Sequence, residues 1–424
     1  MDLLRSRKLR PLLLIQALVW VLLTVSCHRA PAPPSLILLI SIDTLRADHL
    51  GCYGYDRPTS PNLDRFAGDG LLFERAFSHA PSTLVAHASL MSSLLPQHHG
   101  ASHRFRHALP ERVLTVAEVL RDAGWSTFSV NGGGQMAADF GIDQGFETWH
   151  SLKRKDDTFS RVVDLALDYL DRPAEAPRFL FLHTYEVHSP LEPPDETLRL
   201  FNTAEPGTEP QEPAWTVDRY DAEIRSMDQA FGRLESELRR RDLWHDAVVI
   251  VTSDHGEEMG ERGQWGVHAH TLHDELLRVP LLVKPPGWTT GERRTLPVRL
   301  VDVAPTVLGL AGIEPPELFD GVDLLAPDAA PGPLVANQDT ATVEPIDAWR
   351  NHRWKWIGGR LFDLDADPGE TRDVADEHPD LSRDIERRIE RQVSSRTAYE
   401  PRAAEPSAEV ESQLRALGYA DGGP

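Results

Sequence analysis

Short apolar runs recur along most of the chain, separated by amphipathic stretches. Four of these runs lie at residues 36–41 (LILLIS), 178–183 (RFLFLH), 247–252 (AVVIVT) and 279–283 (VPLLV). Runs of this length without polar alternation are typical of strands that are buried on both faces of a parallel sheet. The pattern therefore predicts a central, mostly parallel sheet.

Helical periodicity appears between these runs. Apolar residues recur every three or four positions across residues 220–241, which predicts a helix with one apolar face. Residues 114–123 (LTVAEVLRDA) predict a second helix, which ends before Gly124. Residues 203–216 are polar, acidic and rich in proline, so we expect a surface loop there. The alternation indicates one large α/β domain over residues 36–330.

The pattern changes after residue 330. Residues 353–357 (RWKWI) and 360–364 (RLFDL) flank Gly358 and Gly359, which predicts a β-hairpin that turns on the two glycines. A charged helix is predicted over residues 379–392. We therefore expect a small C-terminal α+β subdomain at residues 331–424.

The N-terminal segment has the pattern of an export signal. Residues 1–10 are basic, and residues 11–25 (PLLLIQALVWVLLTV) form an apolar run that is short for a membrane-spanning helix. Residues 23–27 (LTVSC) resemble a bacterial lipoprotein box, which implies a signal peptide at 1–27, lipidation of Cys27 and a tether at 28–35. An ordinary cleaved signal and an uncleaved anchor are the alternatives. We expect an exported protein of the bacterial cell envelope, in the periplasm or on the outer surface, anchored to the membrane as a lipoprotein.

Composition narrows the classes of function. The 424 residues are 41% hydrophobic and 26% charged, which is typical of a folded protein with a large core. The net charge of −22 repels phosphate backbones and argues against nucleic acid as a partner. Two cysteines, Cys27 and Cys52, are too few for a disulfide scaffold or a thiolate zinc cluster.

Candidate metal ligands follow two of the predicted strands. Asp43 comes directly after the first strand, and Asp254 and His255 come after the strand at 247–252. Ligands of parallel α/β sheets bind beyond the carboxyl ends of the strands. The sequence therefore predicts a cation site with oxygen and imidazole ligands at this edge.

A hydroxyl and two histidines add to this chemistry. Thr83 precedes a helical run at residues 84–95, so it lies near a helix N-terminus, where unpaired amides favour an anionic group. His268 and His270 follow the Asp-His pair closely in sequence. One of them, if it faced the site, would protonate a leaving group.

Six segments together resemble a known family. They are, in chain order, 40–55 (ISIDTLRADHLGCYGY), 80–96 (APSTLVAHASLMSSLLP), 184–190 (TYEVHSP), 252–257 (TSDHGE), 270–281 (HTLHDELLRVPL) and 361–371 (LFDLDADPGET). They resemble, in the family's order, the sulfatase family of the alkaline phosphatase superfamily. The resemblance implies an alkaline-phosphatase-like α/β sandwich and a metal-dependent hydrolase of sulfuric or phosphoric esters.

The resemblance also implies roles for individual residues. It places Asp43, Asp254 and His255 as ligands of one divalent metal ion, which would be Ca²⁺, Mn²⁺ or Zn²⁺. It further implies Thr83 as the nucleophile, with His188 and His270 in contact with the anion or the leaving group. The residues expected to support this machinery are Arg46, His87 and His268.

The chain departs from the family pattern in three places. Residues 83–87 (TLVAH) replace the usual Cys-x-Pro-x-Arg, and a threonine cannot be oxidised to formylglycine. Thr44 replaces a second aspartate, which favours Mn²⁺ or Zn²⁺ over Ca²⁺. Residues 130–134 (VNGGG) lack the family's lysine and histidine. We thus expect a Thr-nucleophile variant.

Two alternatives to hydrolysis remain open from the sequence. One is a phosphoryl-group transferase that acts on an envelope lipid or glycan, since the residues also resemble membrane-side phosphotransferases of this superfamily. The other is a non-catalytic relative that binds anions. In each case the expected partner is an anionic ester of a glycan or lipid headgroup.

The lipoprotein hypothesis makes a direct prediction. Cys27→Ser removes the thiol that would carry the lipid, so we expect the protein to move from the membrane fraction to the soluble fraction. Cell fractionation and labelling with a fatty-acid probe measure this, and Cys52→Ser is the matched control. A wild-type protein that the probe does not label would contradict lipidation.

Overall fold

The structure of the protein is a computed structural model that describes residues 33–102, 107–201, 214–338 and 345–419. The expected signal peptide at residues 1–27, the lipidation site Cys27 and most of the tether lie outside these residues. None of the helices within the described ranges is long and apolar enough to cross a membrane.

Strands and helices alternate through the first three quarters of the chain. The strands are β1 (Leu36–Ile42), β2 (Leu71–Phe73), β3 (Ala76–Phe77), β4 (His107–Ala108), β5 (Ser126–Asn131), β6 (Thr148–Ser151), β7 (Arg178–Thr184), β8 (Val248–Thr252), β9 (Glu258–Met259), β10 (Trp265–Val267), β11 (Arg278–Val279), β12 (Leu281–Lys284), β13 (Glu292–Arg294), β14 (Val298–Arg299), β15 (Leu334–Gln338), β16 (Ile346–Arg350), β17 (Trp354–Ile357), β18 (Arg360–Asp363) and β19 (Arg402–Ala403). The α-helices are α1 (Pro61–Ala67), α2 (Thr83–Ser92), α3 (Pro96–His99), α4 (Val116–Asp122), α5 (Phe159–Leu170), α6 (Asp195–Phe201), α7 (Ala214–Arg240), α8 (Asp274–Leu277), α9 (Val303–Leu310), α10 (Pro379–Val393) and α11 (Ala408–Ala416).

The largest sheet has eight strands in the order β13-β2-β12-β8-β1-β7-β5-β6. Its centre is parallel, because β1 pairs in parallel with both β7 and β8, and Ser41 lies opposite His183 on one side and Thr252 on the other. The predicted parallel sheet is confirmed for these strands. The expectation for residues 279–283 was wrong, because β12 runs antiparallel to β8. Pro280 splits that run into β11 and β12, since proline has no N–H to donate to a ladder.

Apolar residues of β1 point alternately to the two faces of this sheet. Ile37 and Leu39 belong to a core shared with α2, α4 and α9, whereas Leu38 and Ile40 belong to a core shared with α1, α5 and α7. Helices therefore cover both faces, which explains why the strands read as continuous apolar runs. The α/β sandwich expected from the sequence is confirmed.

The predicted helix boundaries differ from the observed ones mainly at α7. This helix begins at Ala214, so the last three residues of the expected surface loop at 203–216 are helical. Thr216 is buried, which polar composition alone does not reveal. Residues 203–213 lie outside the described ranges. The helix at 114–123 is confirmed as α4, where Thr115 and Glu118 form a capping box.

A second, four-stranded sheet follows in the order β15-β16-β17-β18, with α10 packed against it. The predicted hairpin is confirmed as β17 and β18. Gly358 and Gly359 have φ values of 52° and 95°, which is the left-handed pair that a tight two-residue turn requires. The described residues from Pro34 onward form one compact unit, so the domain boundary at residue 330 stays a prediction.

A buried ion cluster joins the small sheet to α8. The Lys355 ammonium is fully buried and donates to Asp274 at 2.6 Å and to Glu370 at 2.9 Å. Arg350 donates to Asp274 as well, at 3.0 Å. Removing one member of such a cluster leaves uncompensated buried charge.

This cluster yields a stability prediction. Lys355→Met leaves Asp274 and Glu370 without their shared cation, so we expect the free energy of unfolding to fall by about 3–5 kcal/mol. Arg353→Met is the matched control, because its ion pair with Asp363 is 46% exposed on the arginine side and is expected to contribute little to stability. Urea denaturation measures both. Equal losses in the two variants would contradict a structural role for the cluster.

Candidate active site

Three predicted metal ligands meet at the carboxyl edge of the central sheet. Asp43 follows β1 directly, and Asp254 and His255 follow the neighbouring strand β8. One ligand atom from each residue lies within 4.8 Å of the others, and all three side chains are fully buried. The parallel pairing of β1 with β8 therefore joins residues that are more than 200 positions apart in sequence.

The electrostatics of this group are those of two carboxylates confined together. Burial raises the pKa of Asp43, and the negative charge of Asp254 raises it further. Burial also acts to raise the pKa of Asp254, but the imidazoles of His255, His87 and His183 hold it below its usual value. The pair thus lacks enough positive charge of its own to keep both carboxylates ionised.

The donor set of this group fits a divalent cation. Three of its buried polar atoms have no hydrogen-bond partner within the described residues, namely Asp43 Oδ1, Asp254 Oδ2 and His255 Nε2, and the same is true of Thr83 Oγ1. His255 Nδ1 donates to the Gly256 carbonyl at 2.9 Å, which leaves the Nε2 lone pair of the neutral ring as a ligand. Buried polar atoms without partners are rare, and a bound ion accounts for such a set.

Thr83 is held at the first turn of α2, which is buried along its whole length. The amide of Leu84 donates to Gln135 Oε1 at 3.0 Å. His87 Nδ1 donates to the Thr83 carbonyl at 2.8 Å, and its Nε2 accepts from the Ser41 hydroxyl at 2.9 Å. His87 thus ties the first turn of the helix to the end of β1, which is a supporting position like the one expected for it.

Two further histidines lie beside the metal-ligand group. The ring centroid of His268 is 4.7 Å from that of His255 and 4.9 Å from that of His188. The Tyr419 hydroxyl shares a hydrogen bond with His268 Nε2 at 2.8 Å and approaches His188 Nε2 at 3.4 Å. His188 and His268 therefore lie together at the site, joined by a tyrosine from the C-terminal segment.

The structure does not bring His270 to this group. Its Nε2 lies 2.5 Å from Glu258 Oε2, and its side chain is 33% exposed. Ala269 has a φ of 61°, so the backbone between His268 and His270 is not extended. The two side chains therefore point in different directions. His268, expected only as a supporting residue, lies beside His255 and His188 instead.

Arg46 and Thr44 shape the turn after β1. The buried Arg46 guanidinium donates to the Glu257 carbonyl at 3.0 Å and forms ion pairs with Asp48 and Glu261. These contacts hold the surrounding loops together. Thr44 has a φ of 54°, which is unfavourable for a β-branched residue. Its hydroxyl donates to the Val187 carbonyl at 3.1 Å while its amide donates to Asp254 Oδ1 at 3.3 Å.

Two buried titratable residues at the site were missed by sequence reasoning. His183 Nε2 lies 3.3 Å from Asp43 Oδ2. Glu257 is fully buried, which raises its pKa to about 8, and its Oε1 lies 3.5 Å from His268 Nδ1. A signal existed for both, because His183 lies near the end of β7 and Glu257 directly follows Asp254, His255 and Gly256.

The chain is similar to several known proteins. The chain is 25% identical over 420 residues to the uncharacterized sulfatase YidJ of Escherichia coli K12, covering 80% of this chain and 83% of the relative. The solved structure of BT4656 in complex with its substrate D-glucosamine-2-N,6-O-disulfate superposes with a TM-score of 0.73 at 17% identity, over 86% of this chain and 98% of that one.

A phosphonate monoester hydrolase is also similar. Its structure, from Agrobacterium radiobacter, superposes with a TM-score of 0.72 at 19% identity, over 88% of this chain and 100% of that one. At these identities the solved structures establish a shared fold. The sulfatase family profile matches residues 35–313, which is more than half of the chain. The protein therefore belongs to the sulfatase family.

Proposed function

We propose that the protein is a metal-dependent hydrolase of sulfuric or phosphoric esters that attacks its substrate through Thr83. The observation that carries this proposal is the set of four unpartnered buried atoms from Asp43, Asp254, His255 and Thr83. A nucleophilic hydroxyl beside two carboxylates and an imidazole is the arrangement that a metal-assisted ester hydrolase needs. A stability role alone would not leave these groups unpaired.

Asp43, Asp254 and His255 would hold the cation. When bound, a divalent cation neutralises negative charge and favours the ionised form of a neighbouring hydroxyl. One imidazole among oxygen donors suits Mn²⁺ or Zn²⁺ better than Ca²⁺, which prefers six or more oxygen ligands. Thr44 supports this preference, because its hydroxyl is engaged with the Val187 carbonyl.

The protein's own residues account for the remaining steps. The Thr83 oxygen attacks the phosphorus or sulfur atom, its proton passes to a neighbouring base, and the bond to the leaving oxygen breaks. Burial lowers the pKa of His188 and of His268, so both imidazoles are neutral bases at neutral pH. One of them would take up the Thr83 proton and pass it to the leaving oxygen, which departs as an alcohol. Water then attacks the ester on Thr83 and releases the anion together with the free threonine.

The threonine favours phosphorus over sulfur. A formylglycine hydrate can expel sulfate by re-forming its aldehyde, whereas a threonine ester must be cleaved by direct attack of water. Direct attack is assisted when positive charge stabilises the equatorial oxygens and the leaving oxygen. We propose a phosphodiester or a phosphonate monoester as the preferred substrate, and the phosphonate monoester hydrolase of the same fold supports this choice.

The biological substrate is proposed from the relatives and the N-terminal residues. BT4656 has a sulfated glucosamine as its substrate, which supports a glycan ester, and a lipid headgroup ester fits the expected membrane anchor. The location at the cell envelope rests on the pattern of residues 1–27, which lie outside the described residues.

The nucleophile is tested by removing its hydroxyl. Thr83→Ala is expected to lower kcat for a 4-nitrophenyl phosphodiester by about a thousandfold or more, and Thr83→Ser to retain part of it. Thr306→Ala, which removes another buried threonine hydroxyl, is the control and should affect stability alone. Initial rates on the phosphodiester, a phosphonate and an aryl sulfate rank the substrates, with the sulfate expected last. Efficient sulfate hydrolysis that survives Thr83→Ala would overturn the mechanism.

The metal site is tested by removing one ligand. A ligand that binds the native state at about 100 times its Kd adds about 2.7 kcal/mol to the free energy of unfolding. We therefore expect a chelator to lower the melting temperature and the activity of the wild type, while the melting temperature of His255→Ala no longer responds to it. His79→Ala, a buried imidazole that contacts the Val335 carbonyl, is the control. Elemental analysis identifies the ion, and stoichiometric Ca²⁺ would contradict the preference for Mn²⁺ or Zn²⁺.

A further inference from the structure

The end of α11 fixes the position of Tyr419. Gly418 follows the helix with a φ of 88°, and its amide donates to the Arg415 carbonyl at 3.1 Å. The Tyr419 amide donates to the Leu414 carbonyl at 2.9 Å. These two bonds form a Schellman motif, in which the residue after the glycine is held against the helix. The C-cap of α11 therefore fixes the backbone of Tyr419.

The helix that carries Tyr419 is itself docked on the catalytic domain. Val410, Leu414 and Leu417 are buried in the same core as α2. The Gly134 amide donates to Gln413 Oε1 at 2.8 Å. Upstream of the helix, β19 pairs with β4, which anchors the beginning of this segment to the same body. The segment from Arg402 to Tyr419 is thus a wall of the active site.

Tyr419 is the part of this wall that contacts the histidines of the site. Its side chain is partly exposed, while its hydroxyl contacts His268 and His188. The pKa of Tyr419 is raised by burial of the hydroxyl and by the negative charge of Asp43, and the nearby Thr83 hydroxyl lowers it. The phenol therefore reaches from the protein surface to the two histidines beside the metal-ligand group.

The nucleophile and the metal ligands are closed off from solvent. Thr83, Asp43, Asp254 and His255 have 0% exposure, and His188 has 1%. An ester cannot reach Thr83 in this conformation. Moving α11 would expose the buried side chains of Val410, Leu414 and Leu417, whereas Tyr419 is already partly exposed. The tyrosine is therefore the part of the wall that moves most easily.

We propose that Tyr419 is the gate of the active site and determines which esters enter it. This inference rests on the proposed hydrolase function. It restricts the class of ester that can be the substrate. Rotation of one aromatic side chain opens a passage no wider than a single ring, while α11 remains in place. Such a passage admits an ester group at the end of a molecule, and it excludes an ester in the interior of a polymer.

The access of a reagent to position 83 can be measured by chemical labelling, independently of enzyme activity. In Thr83→Cys, we expect a small thiol reagent to label position 83 about tenfold faster when Tyr419→Ala is also present, because the gate then no longer covers it. Mass spectrometry of the peptide that contains position 83 separates this signal from Cys27 and Cys52. Tyr399→Ala is the matched control, since Tyr399 is a half-buried tyrosine of the same C-terminal part of the chain. Equal labelling with and without Tyr419 would overturn the gate.

Specificity is measured on the enzyme with Thr83 intact. We expect Tyr419→Ala to raise kcat/KM for an ester inside a polysaccharide by about tenfold relative to a 4-nitrophenyl ester, mainly through KM. Tyr419→Phe keeps the ring and should keep the wild-type ratio. A drop in kcat for both substrates with an unchanged ratio would make Tyr419 a catalytic group and overturn the gate. Faster labelling without turnover of any ester would support the gate and refute the proposed hydrolase function.

Discussion

Two carboxylates buried side by side are the constraint on which this active site depends. Asp43 and Asp254 lie at the ends of adjacent parallel strands, where water cannot screen their repulsion. Such a pair persists in a folded protein only when protons, imidazoles or a cation compensate its charge. His87 and His183 supply part of this compensation and also hold Thr83 and Asp43 in place. The surrounding elements therefore keep the two carboxylates of Asp43 and Asp254 together.

Much of the fold follows from the sequence, because burial on both faces of a sheet imposes a simple pattern. The runs that became β1, β7 and β8 are buried at every position, and Asp43 and Asp254 follow the ends of β1 and β8. The edge of a parallel sheet then brings these residues together whatever their separation in the chain. β12 departs from the prediction, because an apolar run of five residues does not indicate the direction of a strand.

The finer placement of side chains could not be predicted, since it depends on backbone angles that no composition rule fixes. His268 and His270 are two residues apart, and the positive φ of Ala269 separates their directions. The apolar residues of the segment that carries Tyr419, namely Val410, Leu414 and Leu417, face the core, and the C-cap of α11 brings Tyr419 to the site. Thr44 was expected only to remove a carboxylate from the metal site, whereas its amide also donates to Asp254.

The wide spacing of the site residues along the chain has a consequence for folding kinetics. Asp43, Thr83 and Asp254 come from three distant stretches of the chain. β1 pairs with β7 and β8, and both of these strands are far from it in sequence. Closing such loops costs conformational entropy, which is offset only after the strands have formed their contacts. Non-local pairing of this kind therefore slows folding. The metal ligands therefore assemble only after the central strands have paired. No contiguous fragment that stops before β8 contains a complete site, so the nascent chain gains metal affinity only after most of it has been synthesised.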